Sequence, residues 1–150
     1  MSHFSELVQI GRWPSAREDQ EYARQQFPAV VAQSRLHLWS PGDPIPREGT
    51  CLLIGVATYS REDLRLLDLV EEALKHQDGT GPRVDVFNTL DCRTDEDFAR
   101  YVPGLGKVHQ TPVVGVWEKG VLKEKAWGKP ARDLVIQICG LHAPAGQSQS

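Results

Sequence analysis

The chain has 150 residues, of which 40% are hydrophobic, 25% charged and 7% aromatic; that is enough for one domain and too little for two. This composition excludes a collagen-like, coiled-coil or wholly disordered chain. The formal net charge of -3 leaves no cationic excess for nucleic acid or an anionic membrane surface. No apolar run approaches the roughly 20 residues that cross a bilayer. Neither nucleic acid nor a membrane is therefore expected as a partner. Residues Met1 to Ile10 mix His3, Glu6 and Gln9 among their apolar residues, which does not read as a signal peptide, so a cytoplasmic location is expected.

Residues 1–13 carry weak helical or irregular signals. Ser15 and Glu18 have the spacing of a capping box, in which hydroxyl and carboxylate satisfy orphan N–H groups reciprocally. Tyr22, Phe27, Val30 and Val31 give the helix that follows a face through about Ser34, with Pro28 expected to kink or interrupt it. Leu36 to Trp39 alternates like a short strand. A Pro- and Gly-rich loop follows, from Ser40 to Gly49.

Cys51 to Ala57 is a continuous apolar run of seven residues, the pattern of a strand buried on both faces. Leu64, Leu67, Val70 and Leu74 then fall at helical spacing. Ser60 and Asp63 form a second capping box, with Tyr59 and Leu64 placed for a hydrophobic staple across it. Gln77 to Pro82 stops this helix. Arg83 to Leu90 reads as another strand. Thr94 and Asp97 cap a short helix from Asp95 to about Val102.

Thr111-Pro112 leads into a strand from Val113 to Trp117. Glu118-Lys119-Gly120 is a hairpin turn with Gly120 needing positive φ, and Val121 to Trp127 returns. Ala131 to Cys139 is the last helix, its inner face carrying Leu134, Val135, Ile138 and Leu141. Residues 1–142 read as one domain and 143–150 as a small polar, disordered tail. A βαβ unit, a β-hairpin and a terminal helix imply an α/β fold: a mixed sheet with helices on both faces and a right-handed crossover.

This order resembles the thioredoxin family over roughly Cys51 to Leu141. A buried strand enters a helix through Ala57-Thr58-Tyr59-Ser60, and a second strand ends in Leu90-Asp91. Thr111-Pro112 precedes an apolar strand as the family's cis-proline does. Trp117 to Val121, then Gly128, then a helix, match the family's closing hairpin. The resemblance implies a thioredoxin-like fold in which residues 1–50 supply an N-terminal extension and the first helix and strand. It also implies a cis Thr111–Pro112 bond.

The chain departs from the family at its working site. Redox members carry a CxxC at the start of the helix after the buried strand, where a lowered thiol pKa supplies the thiolate. The matching positions here are Ser60-Arg61-Glu62-Asp63. Disulfide exchange needs a thiolate, and this site has none. The family's buried acid on the preceding strand is matched by Ile54. Ser60 as a nucleophile would need a base and an oxyanion hole; its expected role is the helix cap.

The remaining chemistry is sparse. Cys51, Cys92 and Cys139 are an odd set at wide spacing, which makes neither a disulfide framework nor a zinc knuckle. Cys51 and Cys139 read as small buried hydrophobes. Cys92, in the polar stretch Asp91 to Thr94, reads as an exposed and possible reactive thiol, limited to mixed or intermolecular disulfides. His37 and His109 read as loop or strand-edge residues, because metal sites need several convergent ligands. The acids Asp91, Asp95, Glu96 and Asp97 read as complements to a helix dipole. Gly104 and Gly106 lack the Lys-Ser or Lys-Thr of a phosphate loop. Trp39, Trp117 and Trp127 read as packed strand residues, whereas Trp13 could anchor a partner. No metal, cofactor or catalytic residue is expected.

What the resemblance leaves is the family's peptide-recognition platform, where backbone groups beside the proline pair with an extended segment. Thr58, Tyr59, Ser60 and Arg61, facing Gln110, Thr111 and Pro112, are the expected groove for a protein or peptide partner. The alternatives are an enzyme using Cys92 as a single thiol or Ser60 to hold a thiol cofactor, and a structural subunit whose contact is residues 1–50.

Overall fold

A computed structural model describes residues 4–8, 16–40, 42–77, 81–92, 94–101 and 110–140. In chain order the elements are α1 (Ala16–Ala32), β1 (His37–Leu38), β2 (Thr50–Val56), α2 (Arg61–His76), β3 (Arg83–Asn88), α3 (Asp95–Tyr101), β4 (Val113–Glu118), β5 (Val121–Trp127) and α4 (Lys129–Cys139). The expectations for Trp13, Ser15, Arg93, His109, the Gly104–Gly106 loop, Leu141 and the tail fall outside the described residues.

The five strands form one mixed sheet in the order β1-β3-β2-β4-β5. β3 runs parallel to both β1 and β2, β4 is antiparallel to β2, and β5 is antiparallel to β4. The apolar run puts β2 in the centre. Its alternate residues feed opposite faces, as the pleat requires. Ile54 lies between Val86 and Val114, and this aliphatic row packs under α1, α2 and α4 with Phe27, Leu64, Leu67, Val70, Ala131 and Val135. On the other face Cys51, Leu53, Phe87, Val113 and Trp117 pack with Trp39, Cys92 and Ile45, and with Phe98 of α3. Helices therefore cover both faces. At Gly55 an added Cβ would sit 2.6 Å from Phe87 Cζ and 2.7 Å from Val113 Cγ1, so the two strands flanking β2 close up only over a glycine.

Several elements differ from expectation for identifiable reasons. Pro28 lies inside α1, which continues to Ala32. Proline removes one N–H from the ladder, while Phe27 and Val31 on either side are each 1% exposed and keep that turn against the sheet. β1 has two paired residues rather than four. Leu36 and Trp39 are the buried ones, and His37 and Leu38 are exposed. β3 ends at Asn88, whose Oδ1 accepts the Leu90 N–H at 3.0 Å and turns Thr89–Asp91 into a 3-10 turn. α4 starts at Lys129, and its fully buried residues are Ala131, Val135 and Cys139, with Leu134 and Ile138 only partly covered. The hairpin turn has both Lys119 (φ 53°) and Gly120 (φ 82°) in the left-handed region, the geometry that matches strand twist.

The N-terminal segment is part of the core. A 3-10 turn at Ser5–Leu7 places Phe4 fully buried, its ring 6.0 Å from that of Phe27. Asp68 of α2 receives the Phe4 N–H at 2.8 Å and the Ser5 N–H at 3.1 Å on its two oxygens. One carboxylate thus satisfies two otherwise orphaned donors.

Candidate functional site: a polar groove at the start of α2

β2 delivers the chain to the site through Ala57 and Thr58, which are buried. Ser60 is the N-cap of α2, its backbone extended (φ -97°, ψ 109°) and its Oγ accepting the Asp63 N–H at 3.3 Å. The expected capping box is only half made. Asp63, 3% exposed, turns its carboxylate to the Ala57 N–H at 3.0 Å, because the Ser60 N–H is already bonded to the Ala57 carbonyl at 2.8 Å. The expected staple also fails to cover Tyr59, which is 50% exposed while Leu64 is fully buried.

Opposite this turn lies the segment ahead of β4. The Thr111–Pro112 peptide is cis. The Pro112 carbonyl accepts the Gly128 N–H at 2.8 Å, which ties the segment to the start of α4. Gly128 has φ 71° and ψ -143°, a combination open essentially to glycine alone. An added Cβ there would run into the Gln110 Oε1, so Gln110 lies across the glycine. Arg132, one turn into α4, donates from Nη1 to the Glu62 carbonyl at 3.1 Å and links α4 to the first turn of α2.

These three elements enclose an open groove of about 590 Å³ lined by Ser60, Glu62, Asp63, Gln110, Thr111, Pro112, Gly128, Lys129 and Arg132. Of the residues singled out from the sequence, Ser60, Gln110, Thr111 and Pro112 meet there. Thr58, Tyr59 and Arg61 do not line it: Thr58 is fully buried, its Oγ1 without a hydrogen-bond partner, and Tyr59 and Arg61 are exposed. Glu62, Asp63, Gly128, Lys129 and Arg132 also line it, outside the groove expected from the sequence; the one sequence signal for the last three is a Gly-Lys-Pro opening a helix.

Cys92 corrects the reading of an exposed, mildly activated thiol. It is 9% exposed and packs on the α3 face of the sheet. Burial first, then the nearby Asp97 and Asp91, push its pKa up to about 12. Arg100 pulls the other way without prevailing. Cys51 is likewise pushed up to about 12 by burial and Asp85, and Cys139 to about 11 by burial alone. Asp91 faces Arg24 at 3.8 Å, and Asp97 pairs with Arg100 at 3.1 Å, so these acids have cationic side chains as neighbours. His37 is exposed on the edge strand β1. No described helix is long and apolar enough to cross a membrane.

No family model and no curated protein matches the chain. Among solved structures, it is similar to ERdj5 in its form II crystal structure, at 14% identity over 72% of this chain with a TM-score of 0.48. That alignment spans only 14% of ERdj5. It is also similar to a point-mutant thioredoxin from Halobacterium salinarum NRC-1, at 13% identity over 71% of this chain and 93% of that one, with a TM-score of 0.44. At such values the fold is identified from strand order and direction. Three parallel strands, an antiparallel hairpin on one side and a terminal helix make the fold α/β and thioredoxin-like.

Proposed function

We propose that the protein is a redox-inert thioredoxin-like module that binds an extended segment of another protein in the groove between Ser60 and Gln110–Pro112. The observation that carries the reading is the Thr111 backbone. Half-buried in the groove wall, it makes no hydrogen bond to any described residue, which leaves an N–H and a carbonyl for strand-like pairing. The redox half rests on Ser60 and Asp63 at the positions of the family's two thiols, and on the occupation of both side chains in holding the turn. A thiol enzyme working through Cys92 fits poorly with a buried sulfur whose pKa is about 12, because the thiolate is the reactive form.

The test blocks the groove chemically. A random dodecapeptide phage library is panned on the wild-type chain, and selected peptides are measured on Ser60→Cys before and after maleimide coupling. The native cysteines are all buried, so coupling is directed to position 60. The reading expects binding to survive Ser60→Cys and to vanish on coupling. Binding that persists after coupling, or a library that yields no binder, refutes it.

A further inference from the structure

The side chains lining the groove are polar apart from Pro112, while about half of the surface exposed in it is carbon. Apolar contact is therefore open to many extended segments, and discrimination between them falls to unspent hydrogen-bonding and charge. Asp63 is committed to the Ala57 N–H at 3.0 Å, and Lys129 reaches into solvent, where its 2.9 Å pair with Asp133 is exposed and weak. Arg132 is different. Its guanidinium is anchored by a backbone carbonyl, that of Glu62 at 3.1 Å, and no carboxylate among the described residues pairs with it. A carbonyl bond fixes the fork without neutralising its charge, and it uses one of five donors.

From this we infer that Arg132 is the specificity residue of the groove and that it reads a carboxylate on the bound segment: an Asp or Glu side chain beside the residues that pair with Thr111. The inference rests on the groove reading above. Arg132 is half-buried as a residue while its bond to the Glu62 carbonyl is exposed to solvent, so its advantage over Lys129 is the planar fork rather than a dry setting. Because it is already held in place, little side-chain entropy is lost when the carboxylate arrives. Glu62, which with Asp63 gives the groove its negative charges, is exposed, and its carboxylate has no partner among the described residues. Its side chain is not pre-positioned, and it acts against the same carboxylate by repulsion.

The experiment uses the peptides selected from the dodecapeptide library on the full-length chain. They are expected to be enriched in Asp and Glu. Changing that residue to Asn, or Arg132→Gln in the protein, should each weaken binding about tenfold, the scale of a charge-assisted pair. Making both changes should cost little more than either alone. Arg132→Lys should recover only part of the loss, because it keeps the charge and forfeits the fork, and Glu62→Gln should tighten binding, because it removes the repulsion. Arg132→Gln must keep the wild-type melting temperature to be read; if it does not, Arg132→Lys against the Asp and Asn peptides serves as the same cycle. Peptides that bind in the groove with no acidic preference, or losses that add in the double change, overturn the inference while leaving the groove reading intact. Peptides insensitive to the maleimide block at position 60 overturn the groove reading itself.

Discussion

The Asp63 carboxylate accepts the Ala57 N–H at 3.0 Å, so a buried acid braces the last residue of the β2 exit against the first turn of α2. Removing it strands that N–H in a site from which water is excluded. We expect Asp63→Ala to destabilise the domain by about 1–3 kcal/mol, and Asp63→Asn, whose amide oxygen can still accept, to cost less. Urea denaturation of the two variants checks the order. A neutral Asp63→Ala would mean that the brace does not hold the turn.

The neighbouring cap has a separate signature. Ser60→Ala should cost about 0.5–2 kcal/mol through loss of the Asp63 N–H acceptor, and Ser60→Asn should restore most of it. An unchanged melting midpoint in Ser60→Ala would remove the cap from the account of this turn.

Parts of the fold were legible in the sequence because a single local signal decided them. The unbroken apolar run announced β2 as the buried centre, and the Lys119-Gly120 turn announced the hairpin. Other parts depended on distant partners. Pro28 signals a break, yet Phe27 and Val31 are clamped against a sheet the local pattern cannot show. Cys92 stands in a polar tetrapeptide, but the chain folds its sulfur under the α3 face. At the groove, Ser60 and Gln110–Pro112 were readable from motif order. Arg132 was not: what makes it a wall is a bond to the Glu62 carbonyl, 70 residues earlier in the chain.

The thiols give a pH prediction with a definite sign. The folded pKa values are about 12, 12 and 11 for Cys51, Cys92 and Cys139, above the usual value of about 8.5 for a free cysteine. The unfolded chain therefore releases these protons first. Their contribution to stability is complete below about pH 8.5 and is lost as pH rises toward the folded values. Melting temperature should fall between pH 8 and 11, and Cys51→Ala should flatten that fall relative to the parent. In the same range, native thiols should react slowly with a disulfide reagent, and the chain should not accelerate insulin reduction by dithiothreitol. A fast thiol at neutral pH contradicts these assignments.

The N-terminal turn should behave as core. Phe4→Ala removes a fully buried ring that packs on Phe27 and should cost about 3–5 kcal/mol. Asp68→Ala, which strands the Phe4 and Ser5 N–H groups, should cost about 1–3 kcal/mol. Thermal melts of both variants provide the check, and wild-type stability in Phe4→Ala would detach this segment from the core.

The central claim, that an extended segment docks beside Thr111, is tested most directly by backbone amide chemical shifts of the full-length chain titrated with a library-selected peptide. The account predicts the largest shifts at Ser60, Thr111 and Gly128, with the Thr111 amide moving in the direction of a new hydrogen bond. Largest shifts instead around Arg24, Leu38 and Asp91, which line a separate cleft of about 280 Å³, would contradict it.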